Sequence, residues 1–298
     1  MANNNNSKIE LDADKVRKFG YQVAGHPGVL EADDGKIIMK PLDERELQFY
    51  EGSKSCPEIQ PFLATFYGHL KHTDRDVDNA EEPAEEPAEE PAEEKEYLCL
   101  ENLVHRLKEP CVIDIKIGVR LWDIDATPAK RERTIRQANR TTTAELGVFI
   151  TGMRLDGQPA VDRGWCAELT STTIMDALEM YFSAAEQRVS IEFRKQIARQ
   201  FIKGMTDLMA VLEKTETRMY SSSLLLVYDA SKQRHGDLLL ANPGASRTSG
   251  NSGVVEDGAL TRLKAIDFAH SHWTPGQGRD DNYLAGVSKL IELFSTFA

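Results

Sequence analysis

Residues Cys111–Trp122 read Cys-Val-Ile-Asp-Ile-Lys-Ile-Gly-Val-Arg-Leu-Trp and alternate between apolar and polar with a period of two. That period marks a half-buried strand. It puts Ile113, Ile115, Ile117, Val119 and Leu121 on one side, a core face, and Asp114, Lys116, Gly118 and Arg120 on the other. Same-face neighbours on a strand stand about 6.5–7 Å apart. One carboxylate and one ammonium therefore sit side by side above an apolar floor. Phosphoryl transfer needs such a pair, one group to position and one to offset charge on the moving phosphoryl. Alternation alone also fits, and indeed favours, an exposed strand whose polar side is merely wet.

A cationic helix follows directly. Thr127 and Pro128 form a start signal, Thr as N-cap and Pro at the first helical position. At about 100° per residue, Arg133, Arg136 and Arg140 share one face with Gln137; Lys130 lies at its edge and Arg131 points elsewhere. Basic helices are commonly just solvated surface. Here the helix leaves the Asp114/Lys116 strand, so its charge suits a polyanionic acceptor. Nucleic acid is a poor fit, because no aromatic residues interleave the charges and no long basic surface exists. A multiply phosphorylated small molecule fits better.

The elements that must hold these groups can be read from pattern. Val29–Ala32, Asp33-Asp34-Gly35 and Lys36–Lys40 form a hairpin signal, since Asp-Gly suits a tight turn. Asp43 starts a helix, with Glu46 at capping-box spacing. A strand resumes at Tyr97–Leu100, and Glu101-Asn102-Leu103 links to a second lobe. That lobe continues with strands at Phe149–Arg154, Met219–Tyr228 and Leu263–Ala269. Helices are expected at Thr170–Phe182, from Ser190 to about Glu216, and at Tyr283–Phe297. Strands, a hinge and then mixed elements predict a two-lobed α+β kinase-like fold. The N-lobe, 1–102, is an antiparallel sheet. The C-lobe, 103–298, is mixed α/β with a short helical insertion at 123–143.

The string Pro110-x-x-x-Asp114-x-Lys116-x-Gly118 resembles the PxxxDxKxG signature of the inositol polyphosphate kinase family. Ser222-Ser223-Leu224-Leu225 resembles the family's SSLL element and Ile266-Asp267-Phe268 its IDF element, in the expected order. The similarity runs from Gln22-Val23-Ala24-Gly25-His26 to the C-terminus and is nearest to the multikinase branch. It implies a reduced relative of the protein-kinase fold that uses ATP and Mg²⁺ to phosphorylate inositol trisphosphate and tetrakisphosphate toward pentakisphosphate. Within it, Lys116 would neutralise the transferring phosphoryl and Asp114 would position nucleotide or acceptor. Asp267, at the end of the apolar run Leu263–Ile266, would hold the metal, because Mg²⁺ takes one or two carboxylates plus phosphate oxygens. A turn cap is the competing role for Asp267.

The resemblance also makes Lys40 the contact to ATP phosphates, with Glu46 as its helix partner; capping competes for Glu46. Glu101 and Leu103 would offer backbone groups to adenine. Lys130, Arg133, Arg136 and Gln137 would grip the acceptor, with arginines standing where the family is rich in glutamine, and His270 would face the inositol phosphate. No GxGxxG is present, so side chains and metal would hold the phosphates. Ser222 and Ser223 are expected to be architectural. Only 27 residues separate Gly118 from Leu146. Inositol trisphosphate 3-kinases carry a much longer insertion there, so the short one implies an open, tolerant acceptor site. The alternatives are an inositol hexakisphosphate kinase making pyrophosphates, or a kinase-fold scaffold in a transcriptional complex.

Composition sets the outer bounds. The chain has 298 residues, 41% of them hydrophobic, and a net charge of −12. Residues 81–96 carry nine Glu and one Lys, leaving −4 for the other 282. The thrice-repeated Glu-Glu-Pro-Ala within them cannot form helix or central strand and buries nothing, which predicts a disordered, solvated loop. A polar stretch within 230–260 is expected to be a mobile loop. Cys56, Cys99, Cys111 and Cys166 form no CxxC and read as free thiols in a reducing compartment. No apolar run reaches spanning length and the first residues hold no apolar segment. The expectation is a cytoplasmic or nuclear enzyme with inositol polyphosphates as partners, no membrane span, no direct nucleic-acid binding, and transcription factors as candidate protein partners.

Overall fold

The Asp33–Lys36 turn joins β2 (Leu30–Ala32) to β3 (Ile37–Pro41), with Gly35 N donating to Ala32 O at 2.8 Å. The structure is a computed structural model that describes residues 16–25, 27–73, 94–155, 157–161, 163–231 and 261–298. The acidic repeat, His26 and the polar stretch 232–260 lie outside the described residues. The hairpin is extended by β1 (Val16–Lys18), β4 (Phe66–Thr73) and β5 (Glu94–Glu101) into an antiparallel sheet ordered β1-β2-β3-β5-β4. The last three residues of the 81–96 segment, expected to be solvated loop, thus belong to β5, where Glu96 and Lys95 pair with Lys71 and His72.

Helix α1 (Glu44–Ser53) packs beside this sheet. Asp43 caps it, accepting from Arg45 N at 2.9 Å and Glu46 N at 3.1 Å. The Glu46 side chain does not close a capping box; it turns toward Lys40. Below, β6 (Pro110–Ile117), β7 (Val148–Arg154), β9 (Ser223–Asp229) and β10 (Thr261–Ile266) form a second antiparallel sheet ordered β10-β9-β6-β7. Short β8 (Thr217–Met219) and β11 (Ser271–Trp273) form a third.

The helices cover one face of the second sheet. These are α5 (Ile174–Arg188), α6 (Ile191–Leu212) and α7 (Asp281–Ser295). Phe193, Ile197, Phe201, Leu208 and Leu212 form the buried stripe of α6, and Ser190 caps it by accepting from Phe193 N at 3.2 Å. The sheet contributes Ile113, Ile115 and Ile117, each at most 1% exposed. Full burial of such a side chain stabilises by about 1.5–3 kcal/mol. Tyr181 and Tyr228 are fully buried and satisfy their hydroxyls on Leu226 O and Tyr181 O. Smaller helices α2 (Pro128–Ala138), α3 (Thr143–Leu146) and α4 (Arg163–Ala167) flank β6 and β7.

Several expected boundaries move, each for a local reason. The core face of β6 stops at Ile117, because Gly118 takes φ +96° and turns the chain; Val119, expected in the core, is 43% exposed. The strand expected over Met219–Tyr228 is broken where Ser221 adopts φ +55°. The one expected over Leu263–Ala269 ends at Ile266, because Asp267 has φ +64°. Helix α5 begins at Ile174 rather than Thr170, because Thr170 and Thr173 hydrogen-bond each other's amides through their hydroxyls. Helix α6 stops at Leu212, short of Glu216. Ala230 and Ser231, expected at the start of a mobile loop, are ordered into the fold; both are buried, with Ala230 N on Glu109 O at 2.9 Å.

Gly118 explains the glycine of the first motif. Its left-handed φ disfavours any side chain, and a Cβ there would overlap the Asn282 amide. Asn282 in turn bonds Arg120 N at 2.9 Å and Arg120 O at 3.2 Å, tying the loop after β6 to α7. Gly118→Ala is expected to destabilise the protein by about 2–4 kcal/mol, combining left-handed strain with overpacking. Denaturant titration checks this, and an unchanged midpoint would contradict it.

Candidate active site

One row of paired residues crosses the second sheet: Ile266 on β10, Ser223 on β9, Lys116 on β6 and Phe149 on β7. Directly opposed residues in antiparallel strands share a face. That face is the one away from the α5–α7 core. Asp114, two residues before Lys116, lies on it as well, paired with Leu225 and Gly152. Asp267 follows Ile266 at the end of the row. The three motifs are thus brought together by adjacent strands, with Ser223 paired to Ile266 before Asp267 and Ser222 just ahead of β9. The face is not a wet one, since Asp114 is 4% exposed and Lys116 alone in β6 is not buried.

Lys40, from β3, reaches this end of the sheet. Its ammonium lies 2.8 and 3.0 Å from the two Glu46 oxygens and 2.5 Å from Asp267 Oδ1. Burial alone would lower its pKa, but the charges of Asp267 and Glu46 outweigh burial and hold it above its ordinary value. Helix α1 is fixed over the site by aromatic packing. Phe49 stacks on Phe268 of the third motif at 4.2 Å, and Trp273 Nε1 donates to Phe49 O at 3.0 Å. Phe268 N also donates to Glu46 Oε1 at 3.3 Å.

A cavity of about 120 Å³ opens between the two sheets. Ile38, Val29, Leu100, Leu103, Val112 and Leu225 line its apolar part; Lys40, Glu46, Asp114 and Asp267 line its charged end. Glu101 also borders it. Its side chain is engaged by Thr65 N at 3.1 Å and Thr65 Oγ1 at 2.9 Å, and its own amide donates to Thr65 O. The Leu103 carbonyl accepts from Arg262 Nη1 at 2.7 Å. The segment Gln22–Gly25 closes the cavity from above. Gly152 permits this close approach, because a Cβ there would run into the Val23 backbone.

Charge balance gives this end a chemical preference. Burial raises the Asp114 and Glu46 pKa values. Like charge on Asp267 adds to both, while Lys116 offsets the shift for Asp114 and Lys40 for Glu46. Among the described residues the buried Asp114 Oδ1 finds no hydrogen-bond partner. Three carboxylates thus face two ammoniums, and one orphaned carboxylate oxygen points into the site. A divalent cation would correct both, so the donor set of Asp114 and Asp267 fits a metal bound jointly with phosphate oxygens. Among the described residues no cluster of three or more His, Cys, Asp or Glu forms an all-protein metal site. Lys116 Nζ now donates to Ser221 O at 2.7 Å, the carbonyl exposed by the break between β8 and β9.

The cationic helix divides into two parts. Thr127 caps α2, accepting from Lys130 N at 3.2 Å. Lys130 Nζ lies 3.4 Å from His270 Nε2, at the Asp267 end of the site. Burial, then Lys130, push the His270 pKa down. Arg133, Arg136, Gln137 and Arg140 instead line a separate open cavity of about 500 Å³. Phe149, the last member of the cross-sheet row, forms part of its wall. Arg131 points away, to Ile124 O at 2.8 Å.

Two residues here escape any sequence pattern. Asp123 is 2% exposed and joins three elements. It binds Arg45 of α1 at 2.6 Å and His272 of β11 at 2.9 Å, and accepts from Ile124 N at 2.6 Å. Arg163, from α4, enters the arginine-lined cavity across a turn of chain. Only the tertiary path brings either to the site.

A slot suited to a planar base ends where charge begins, and the charge continues across one sheet to a cationic cavity. Such an order of sites belongs to a kinase with an anionic small-molecule acceptor. A family model described as inositol polyphosphate kinase matches residues 97–295, and the chain belongs to that family. The inositol polyphosphate multikinase of Schizosaccharomyces pombe is 30% identical, over 94% of this chain and 97% of its own. Inositol hexakisphosphate kinase 1 of Mus musculus is 32% identical, but over 66% of this chain and 51% of its own. A crystal structure of the inositol phosphate multikinase Ipk2 from S. cerevisiae, in complex with ADP and Mn²⁺, matches with a TM-score of 0.71 and 28% identity. The match covers 88% of this chain and 99% of that one.

Proposed function

We propose that this chain is an ATP-dependent inositol polyphosphate multikinase that phosphorylates inositol trisphosphate and tetrakisphosphate toward pentakisphosphate. The observation that carries the reading is the single sheet face on which the apolar cavity between the sheets, Asp114, Lys116 and the wall of the arginine cavity follow one another. Full-length similarity to a multikinase favours this reading over a hexakisphosphate kinase, whose likeness spans two thirds of the chain.

In this reading adenine lies among Ile38, Leu100 and Leu225. It meets the Glu101 carbonyl and the Leu103 amide, the backbone groups not taken by Thr65 and Arg262. Lys40, held by Glu46, contacts the phosphates. Asp267 and Asp114 hold a divalent metal, Mg²⁺ as the working ion; when bound it offsets the charge of the phosphate oxygens. Lys116 leaves the Ser221 carbonyl for the phosphoryl group as negative charge develops on it. Lys130 and His270 bind the near side of the acceptor, Arg133, Arg136 and Gln137 its other phosphates. Cytoplasmic or nuclear residence and contacts with transcription factors belong to the same proposal.

The direct test is incubation with Mg-ATP and a panel of inositol phosphates, followed by identification of product isomers. Transfer to none of them would refute the reading. A second test separates acceptor from nucleotide. Arg133→Glu with Arg136→Glu should raise KM for inositol phosphates at least tenfold, since each reversal removes a charge-assisted contact of about 1.5–3 kcal/mol. KM for ATP should stay within about twofold, the error expected for a site the helix does not touch. Equal movement of both constants would make α2 a plain surface helix.

A further inference from the structure

We propose that Arg140 and Arg163 form a distal anion subsite that selects acceptors by the number of phosphates on the ring edge away from the reacting hydroxyl. The inference rests on the acceptor reading above and extends it to residues that no motif marks. The cavity is about 500 Å³, within the range of small-molecule sites. Its charged lining is four guanidiniums and one carboxylate, Glu168. Arg136 pairs only weakly, with exposed Glu132 at 3.5 Å. Arg133, Arg140 and Arg163 make no ion pair among the described residues, so their charge is unspent.

Guanidiniums gathered without carboxylate partners repel one another, and a polyanion relieves that repulsion. Guanidinium also binds phosphate through two parallel hydrogen bonds, which suits it to several phosphates held at fixed angles on a ring. Position gives the second argument. Phe149 in the cavity wall is the β7 residue paired directly with Lys116, so the cavity begins one strand, about 5 Å between paired residues, from the backbone of Lys116. Arg133 lies one helical turn beyond Lys130, and Arg140 sits in the turn that follows the helix end at Ala138, its amide donating to Gln137 O at 3.1 Å. Arg163 faces them from α4. A ring whose hydroxyl is at Lys116 would therefore carry its far phosphates toward Arg140 and Arg163. Such a ring can arrive free or as a lipid headgroup, and the chemistry recognised is the same.

Calorimetric titration of the full chain with inositol hexakisphosphate tests this without turnover. Arg140→Gln with Arg163→Gln should weaken binding at least tenfold, with a shallower salt dependence. Glu168→Gln should tighten it about twofold or more, as loss of a nearby like charge to the ligand would. The opposite signs hold even if the double variant folds poorly. In kinetics, the double variant should lower the kcat/KM ratio of tetrakisphosphate to trisphosphate at least fivefold. Unchanged affinity in both variants, or equal loss for both acceptors, would overturn the proposal. Hexakisphosphate binding that responds as described, in a protein that phosphorylates no inositol phosphate, would uphold the subsite and refute the kinase reading. Phosphatidylcholine vesicles carrying phosphatidylinositol bisphosphate separate the sources. Retention by wild type and release by the double variant would mean that the ring arrives on lipid. Binding confined to the soluble ring would mean that it arrives free.

Discussion

Lys116→Ala should reduce turnover by on the order of 10²-fold or more, the cost of removing one fixed contact to developing charge. The fold should survive. Lys116 is the one residue of β6 that is not buried, and its strand neighbours Ile115 and Ile117 keep the core face closed. Among the described residues its ammonium donates to the Ser221 carbonyl at 2.7 Å, and Ser221 is half-buried. Ala also keeps the extended backbone. KM for ATP should change little, because Lys116 does not line the cavity proposed to take adenine, whose charged end is formed by Lys40, Glu46, Asp114 and Asp267. Steady-state ADP release and thermal melting, measured together, check both halves. A folded Lys116→Ala protein with near wild-type turnover would remove Lys116 from the chemistry.

The β6 strand shows what the sequence could and could not reveal. Its period of two put Asp114 and Lys116 on one face, and register with β7 and β9 places them there. What the pattern could not say was whether that face meets solvent. The answer depends on the upper sheet and the Gln22–Gly25 segment arriving over Gly152. The same limit applies to Glu46. Capping and pairing with Lys40 were equally consistent with its spacing. The Asp43 side chain accepts from the Arg45 and Glu46 amides, while the Glu46 carboxylate, which a capping box would turn back to the Asp43 amide, accepts instead from Lys40 and from Phe268 N.

Boundaries failed where backbone conformation, not side-chain pattern, decided them. Ser221 and Asp267 adopt positive φ inside apolar runs that read as unbroken strands. Both breaks sit at the site: one presents a carbonyl to Lys116, the other sets the Asp267 carboxylate against Lys40. Non-glycine residues in the left-handed region cost energy that surrounding structure must offset, and they gather where geometry matters for function. Asp123 and Arg163 were missed for a different reason. Each acts through contacts distant in sequence, and neither lies on a periodic face.

Asp267→Asn isolates the metal from the backbone. Asn tolerates the left-handed φ of +64° about as well as Asp does, whereas Ala would add roughly 1–2 kcal/mol of strain. The amide keeps the shape and removes one charge. Lys40 loses its 2.5 Å partner but keeps Glu46, so its position should hold. The Asp114 carboxyl, which Asp267 helps to raise, should ionise more readily once that charge is gone. One carboxylate then remains to share the cation with the phosphates, where Mg²⁺ commonly uses one or two. Initial rates should fall on the order of 10²-fold at ordinary Mg²⁺, consistent with the loss of a charged contact to the reacting group. They should recover only in part as Mg²⁺ is raised, with the half-saturating concentration shifted upward. Nucleotide binding without metal should persist, because the proposed contacts of the base, at Leu100, Leu103 and Leu225, line the apolar part of the cavity, away from the charged end. Titrating Mg²⁺ against initial rate in wild type and variant, beside metal-free ADP binding, separates these effects. Normal turnover with an unchanged Mg²⁺ curve would make Asp267 a strand terminator and partner of Lys40, and would leave Asp114 to hold the metal alone.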